Sequence, residues 1–321
     1  MRPELTQAVE LLRSGNPGAI DDALALLQNT VFSFSMKVCG HREDAEDTMQ
    51  DVLLKALPYL PKLQDPQALA VWLYKVARNR CWMSRRRSKF APRETVALDD
   101  LMPDASELES LTAGSQPSPE ALVASHESAQ RVREAVLSIP APYRLVLVLH
   151  DMEDLDTPEV ARVTGLKEGT VRVRLHRARL LLRRELSAGK AQPRLRRGRG
   201  RAAKPVPCRK LFAQLSEYLD GRLPDLTCER IQKHLQDCPP CVAFLADLQR
   251  AVHRCRAYAE PCRPETAGLL RKLLADEYLR VLKSQAAAGQ GHRPSHPAAS
   301  PAESQRGQPE RRRRPANPQT A

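Results

Sequence analysis

Apolar residues return along most of the chain at intervals of three and four, the period of an α-helix with one buried face. No stretch alternates apolar and polar positions as a half-buried strand does, and no segment repeats another. The pattern therefore predicts an all-α fold. It lapses in two places, 88–117 and 188–207, which read as linkers, the second of them basic and containing Pro and Gly. The predicted organisation is a helical domain over 1–87, a linker over 88–117, a second helical domain over 118–187, a linker over 188–207, a small helical module over 208–284, and a tail over 285–321 that cannot bury a core and is expected to be disordered.

Within the first domain two helices differ in what their polar faces carry. Over 43–57, Ala45, Met49, Val52, Leu53 and Ala56 form the apolar side, and Glu43, Asp47 and Gln50 line another. An acidic face repels DNA, so it is either solvated surface or a contact for another protein. Over 68–87 the stripe Leu69, Leu73, Val76 and Ala77 is opposed by Lys75, Arg78, Asn79, Trp82, Arg85 and Arg86. Cations that hold phosphates, a ring that stacks on an unpaired base and an amide that reads a base edge suit a nucleic-acid surface.

In the second domain TPEVARVT (157–164) has Thr157 in the N-cap position and Pro158 opening the helix, and Gly165 supplies a left-handed stop. A second helix runs from about Glu168 to Leu186. A short helix, a glycine turn and a longer helix make the helix-turn-helix pattern. On the longer helix Val171, Leu175, Ala178 and Leu182 face the core, while Arg172, His176, Arg179 and Arg183 repeat on the neighbouring face, broadened by Arg174 and Arg177. That face suits a major groove, with Thr170, Arg172, Arg174, His176 and Arg177 as candidate DNA contacts.

The third module holds Cys208, Cys228, His234, Cys238, Cys241 and Cys255. His234, Cys238 and Cys241 form a compact H-x3-C-x2-C, and an imidazole with two thiolates at that spacing suits tetrahedral zinc. A fourth ligand is needed. Cys208 shares a helical face with Leu211, Leu215 and Leu219, and Cys228 shares one with Ile231 and Leu235, so helical geometry leaves both open. Cys255, 14 residues beyond Cys241, would lie about 21 Å from it along one helix, too far for the same ion. Pro239 and Pro240 break the helix and put Cys241 in the first turn of the next.

Composition adds partners and a compartment. Lys and Arg total 51 against 38 Asp and Glu, a net charge of +13, which fits solvated tails or a polyanionic partner. No run of about 18 apolar residues is present, and the N-terminal stretch lacks a long apolar core. No membrane contact and a cytoplasmic location are therefore expected, where cysteines serve as ligands or sensors more than as a disulfide framework. There is no phosphate-cradling loop and no nucleophile paired with a base, so the chain does not read as an enzyme.

REDAEDTMQDVLLKAL followed by VWLYKVARNRCWMSRRR resembles region 2 of bacterial sigma factors of the extracytoplasmic-function group, over roughly 22–87. The stretch from VREAVLSIP through GTVRVRLHRARLLLRREL resembles region 4 of the same group, with Val173 where the family usually has a small polar residue and Lys167 where it has Pro. The resemblance implies that the acidic helix meets core RNA polymerase, with Asp47, Gln50 and Asp51 as candidate contacts. It implies a −10 promoter surface that includes Trp72, Tyr74, Arg78, Asn79 and Arg80 beside the Trp82 and Arg85 already singled out, and a −35 surface on the second domain. The cysteine stretch 208–249 resembles the zinc-binding anti-sigma domains, in which the first Cys opens the first helix as a ligand. That resemblance implies Cys208, His234, Cys238 and Cys241 as the zinc set and an intramolecular contact between the module and the sigma domains, with 264–284 as the gripping helix. Cys228, Cys255 and Cys262 are left as spare thiols. The alternative is a stand-alone helix-turn-helix regulator with a zinc- or redox-sensing domain, which has no use for the acidic helix.

Overall fold

The helical period is realised throughout: among its described residues, the computed structural model contains twelve α-helices, one π-helical turn and no strand. It describes residues 2–62, 65–85, 101, 125–187, 206–258 and 264–290, without the side chains of 82–85, 125–128, 206–207, 209–210, 264–267 and 286–290. The linkers expected over 88–117 and 188–207 and the tail beyond 290 lie largely outside those residues. None of the helices among the described residues is long and apolar enough to cross a membrane.

The first helical group comprises α1 (Pro3–Ser14), α2 (Pro17–Cys39), α3 (Arg42–Ala56) and α4 (Pro66–Arg85). Gly15 ends α1 in the left-handed conformation, and the Asn16 side chain accepts from the Gly18 N–H to cap α2. Every residue of α2 from Thr30 to Cys39 is buried, including Ser33, Ser35 and Lys37. A helix buried on all sides is the axle of its domain. Gly40 follows it at φ 79°, and a Cβ built there would stand 2.9 Å from Cδ2 of Leu137. Gly40→Ala is therefore expected to lose about 1–2 kcal/mol of stability through left-handed strain alone, read as a lower denaturant midpoint.

The second group comprises α5 (Ser125–Ser138), α6 (Ala141–Leu147), a π-helical turn (Val148–Met152), α7 (Thr157–Thr164) and α8 (Glu168–Ser187). Asp154 leaves the π turn at φ 57°, a conformation that Asp tolerates better than most residues. The N-cap of α7 is Asp156, one residue before the expected Thr157. Its side chain accepts from Glu159 N–H at 2.7 Å, and Glu159 accepts from Asp156 N–H at 2.7 Å, a reciprocal capping box. Gly165 at φ 71° makes the turn into α8.

The third group comprises α9 (Val206–Leu219), α10 (Asp225–Asp237), α11 (Pro239–Ala257) and α12 (Pro264–Gln290). The three groups, expected from the sequence as separate domains, pack together within one compact unit, Met1–Leu282. Of the second unit, Lys283–Ala321, only the end of α12 is described.

A buried charge cluster joins the first and second groups. Glu153, just past the π turn, accepts from Lys37 Nζ at 2.9 Å and from Tyr74 Oη at 2.7 Å, and pairs with Arg2 at 3.1 Å. Arg2 also donates twice to the Met152 carbonyl, at 2.9 and 2.6 Å. Burial, and then the Glu153 carboxylate, push the Tyr74 hydroxyl well above the usual phenol range, so it stays a donor.

Candidate nucleic-acid interface and metal centre

Cys238 stands between α10 and α11, where Pro239 cannot continue the preceding helix. The Cys241 N–H returns to the Cys238 carbonyl at 3.0 Å, which folds the two thiols toward one point. His234, in the last turn of α10, places Nε2 3.4 Å from Cys241 Sγ and 3.7 Å from Cys208 Sγ in the first turns of α9. The ligand atoms of Cys208, His234, Cys238 and Cys241 all lie within 4.8 Å of one another. Thiolates bound at about 2.3 Å around one tetrahedral ion stand about 3.8 Å apart, so the spacing and the donor set of three sulfurs and one nitrogen fit a closed zinc-type centre. Burial, then the sulfurs of Cys238 and Cys208, push the Cys241 thiol up, and the Cys208 thiol is raised as well. Such crowded sulfurs are best served by a cation that replaces their protons. Cys228 lies apart, with Sγ 3.6 Å from the Leu223 carbonyl oxygen. Cys255 is fully buried near the far end of α11, its thiol pushed up by burial and by Asp151. Cys262 lies outside the described residues.

The candidate recognition helix α8 buries Val171, Leu175, Ala178 and Leu182 as expected. Its basic face is covered by α9 and α11 at His176, Arg179 and Arg183, whereas Arg172 near the helix start remains exposed. Arg172 pairs with Glu217 at 3.6 Å. His176 is buried, with Nδ1 3.0 Å from Ser216 Oγ and its ring edge against Phe212. Arg183 sits over the Phe244 ring at 4.3 Å and donates to Asp247 at 3.3 Å. Thr170 and Val173 stay exposed, Arg174 is half-buried, and Arg177 donates to Tyr143 Oη at 3.3 Å. At this face His176, expected at DNA, instead contacts the module, and it can reach a groove only if the module leaves.

Arg179 is the centre of that cover. It is fully buried and donates to Asp151 at 2.8 and 2.6 Å, to Asp220 at 3.0 and 2.8 Å, and to the Ser216 carbonyl at 3.2 Å. Asp151 also takes His150 at 3.0 Å and Arg256 of α11 at 3.3 Å. Burial alone would raise the Asp151 carboxyl, but the Arg179 charge and hydrogen bonds overcome it and hold the group far below the usual carboxylate range. The same partners raise the Arg179 guanidinium against the opposite pull of burial. Two carboxylates, one from the π turn and one from the third group, thus share one buried cation.

Burial, then Arg179 and Arg177, lower His176 to about 4 from an ordinary 6.5. The charged groups around it are those two arginines and, through Arg179, Asp151 and Asp220. A freed His176 takes up a proton below about pH 6.5 and a docked one does not, so docking is expected to weaken as pH falls from about 6.5 toward 4. His176→Asn removes that slope. Proteolytic release of the module measured against pH in both proteins checks it.

On the candidate −10 helix the placements divide. Arg78 donates to the Val163 carbonyl of α7 at 2.7 Å and so contacts the second group. Asn79 is exposed, and Arg80 pairs with Asp51 at 2.9 Å. Trp72 is half-buried against Tyr59, and Tyr74 is buried in the Glu153 cluster, so neither faces outward freely. The side chains of Trp82 and Arg85 lie outside the described residues. On α3, Asp47 and Gln50 are exposed beside Leu54, itself 53% exposed, so an apolar side chain sits within an acidic surface.

Residues 24–90 match the family Sigma-70 region 2, residues 129–182 match Sigma-70, region 4, and residues 208–241 match a zinc-finger family. The ECF RNA polymerase sigma factor SigW of Bacillus subtilis is 26% identical over 191 residues, 58% of this chain and 98% of that protein. SigM of Mycobacterium tuberculosis is 32% identical over 144 residues, 45% of this chain and 65% of that protein. The ECF sigma-E factor of Escherichia coli is 28% identical over 203 residues, 61% of this chain and all of that protein. The chain thus carries Sigma-70 region 2 and region 4 in that order, followed by a zinc-finger-family segment, and it is similar to extracytoplasmic-function sigma factors, two of them matched across almost their whole length.

Proposed function

We propose that the chain is an RNA polymerase sigma factor directing promoter-specific initiation, and that its C-terminal module holds it closed. Region 2 addresses the −10 element through α4, and region 4 addresses the −35 element through α8. Asp47, Gln50 and Asp51 meet core polymerase. Zinc bound by Cys208, His234, Cys238 and Cys241 ties α9, α10 and α11 into one rigid body. The observation that carries the closed reading is the engagement of Arg172, His176, Arg179 and Arg183 by Glu217, Ser216, Asp220 and Asp247. A cation face that pairs with acidic side chains is withheld from phosphates. Release of the module, by loss of the metal or by a competing partner, exchanges those contacts for DNA.

Retention of core polymerase on the immobilised chain tests the sigma assignment. Asp47→Arg reverses a charge on the exposed face of α3 and is expected to weaken retention by about tenfold or more, the effect of a like charge at a complementary patch. Binding of polymerase unaltered by Asp47→Arg and by Gln50→Ala would remove α3 from the interface. A stand-alone regulator would retain no polymerase at all.

A further inference from the structure

Region 2 contains a disulfide that neither the metal centre nor the DNA surface uses. Cys39 and Cys81 are bonded, with Cα atoms 5.9 Å apart and a sequence separation of 42. Cys39 is the last residue of α2, and Cys81 stands in the final turns of α4. Both sulfurs are buried, each residue being 2% exposed. Each lies beside a contact to region 4. Two residues before Cys39, Lys37 meets Glu153, and the next residue, Gly40, packs on Leu137. Three residues before Cys81, Arg78 donates to the Val163 carbonyl, and one helical turn earlier Tyr74 meets Glu153. The bond therefore joins the two helices that make region 2's half of the seam with region 4.

We propose that Cys39 and Cys81 are a peroxide-sensitive thiol–disulfide site that braces this seam. Burial favours a small oxidant over a bulky disulfide such as oxidised glutathione. Thr48 Oγ1 lies 3.8 Å from Cys81 Sγ, placed to donate to a Cys81 thiolate. Both cysteines lie toward helix C-terminal ends, where the dipole disfavours a thiolate, but Cys39 is the last residue of α2 whereas Cys81 stands four residues inside the end of α4. Cys81 is thus the attacking sulfur. Its thiolate breaks the peroxide O–O bond, giving the sulfenic acid and hydroxide. The Cys39 thiol then attacks that sulfur: the S–S bond forms, the S–OH bond breaks, and the hydroxyl leaves as water with the thiol proton. Two thiols lose two electrons in all, and one peroxide becomes two waters. Small thiol reductants, admitted by the same size selection, reverse the bond by exchange. In the oxidised chain α2 and α4 cannot part, so Lys37, Tyr74 and Arg78 keep their grip on region 4; in the dithiol chain the seam opens more readily. This holds independently of whether the chain serves polymerase.

The experiment uses the intact zinc-loaded chain, reduced and then treated with a few equivalents of hydrogen peroxide. Peptide mapping is expected to find the 39–81 link before a chromogenic chelator registers zinc release. Amide hydrogen exchange over 148–164, across the seam, is expected to slow by about tenfold relative to the reduced chain and to recover on re-reduction. Cys39→Ser and Cys81→Ser should abolish the slowing, and Cys39→Ser should accumulate a dimedone adduct at Cys81. The idea is overturned by absence of the link, by zinc release preceding it, by a link that leaves exchange over 148–164 unchanged, or by slowing that persists in both serine variants. Comparing oxidised and re-reduced wild type decides the matter even where a serine variant misfolds.

Discussion

Arg179→Ala is expected to cost about 3–5 kcal/mol, the size of an effect that leaves buried carboxylates without their cation. For a protein of this length that lowers Tm by roughly 10 °C, readable by calorimetry. Asp151, whose side chain is fully buried, would keep only His150 and the half-exposed Arg256, and Asp220 would lose both of its short bonds to Arg179. Asp220→Ala separates the two roles of this site. Arg179 retains its bidentate pairing with Asp151 there, so region 4 keeps its fold while the module loses an anchor. A small fall in Tm with easier proteolytic release of the module is the expected result for Asp220→Ala. A large Tm loss in that variant, equal to that of Arg179→Ala, would mean the module and region 4 share one cooperative core with no separable docking step.

Glu153→Ala is expected to be of similar size, about 3–5 kcal/mol, for the same reason with the signs reversed. Lys37 is 1% exposed, and the removed carboxylate is its short ionic partner at 2.9 Å. Tyr74 would lose its short acceptor at 2.7 Å, and Arg2 would keep the Met152 carbonyl. Lys37→Met with Glu153→Leu, which removes both charges, should recover most of the loss, because a matched apolar pair avoids desolvation. Urea denaturation of the three proteins measures this. Recovery in the double variant identifies charge burial as the cause; equal loss would point instead to packing around α2.

The sequence made the helices and their order legible because amphipathic periodicity is local, and a helix needs no distant partner to show it. The α8 boundaries came within a residue of Ser187, and the clustering of His234, Cys238 and Cys241 was legible because they crowd into eight residues, whereas spacing alone left Cys208 and Cys228 both open beside them. The sequence points to Thr157 where Asp156 is the cap, because both residue types cap helices and a pattern cannot show which side chain turns back. The closure of the chain was not legible. Glu153 meets Lys37 across 116 residues and Arg179 meets Asp220 across 41, and no spacing rule connects such pairs. For the same reason the stripe Arg172, His176, Arg179 and Arg183 read as a free DNA face, although its periodicity also fits an acidic protein partner. Cys39 and Cys81 carry no motif, and a reducing compartment argued against pairing them.

In the closed reading the module covers the −35 helix of a working sigma factor. That reading is tested most directly by run-off transcription with core RNA polymerase on promoters selected from a random library, comparing the intact chain, the same chain stripped of metal, and a chain cut before α9. Specific starts that depend on the −35 element are expected, weak with the intact metal-loaded protein and stronger by about tenfold or more once the module is gone, since several cation–phosphate contacts are regained. Equal transcription from all three proteins, or no specific start from any, would contradict that reading.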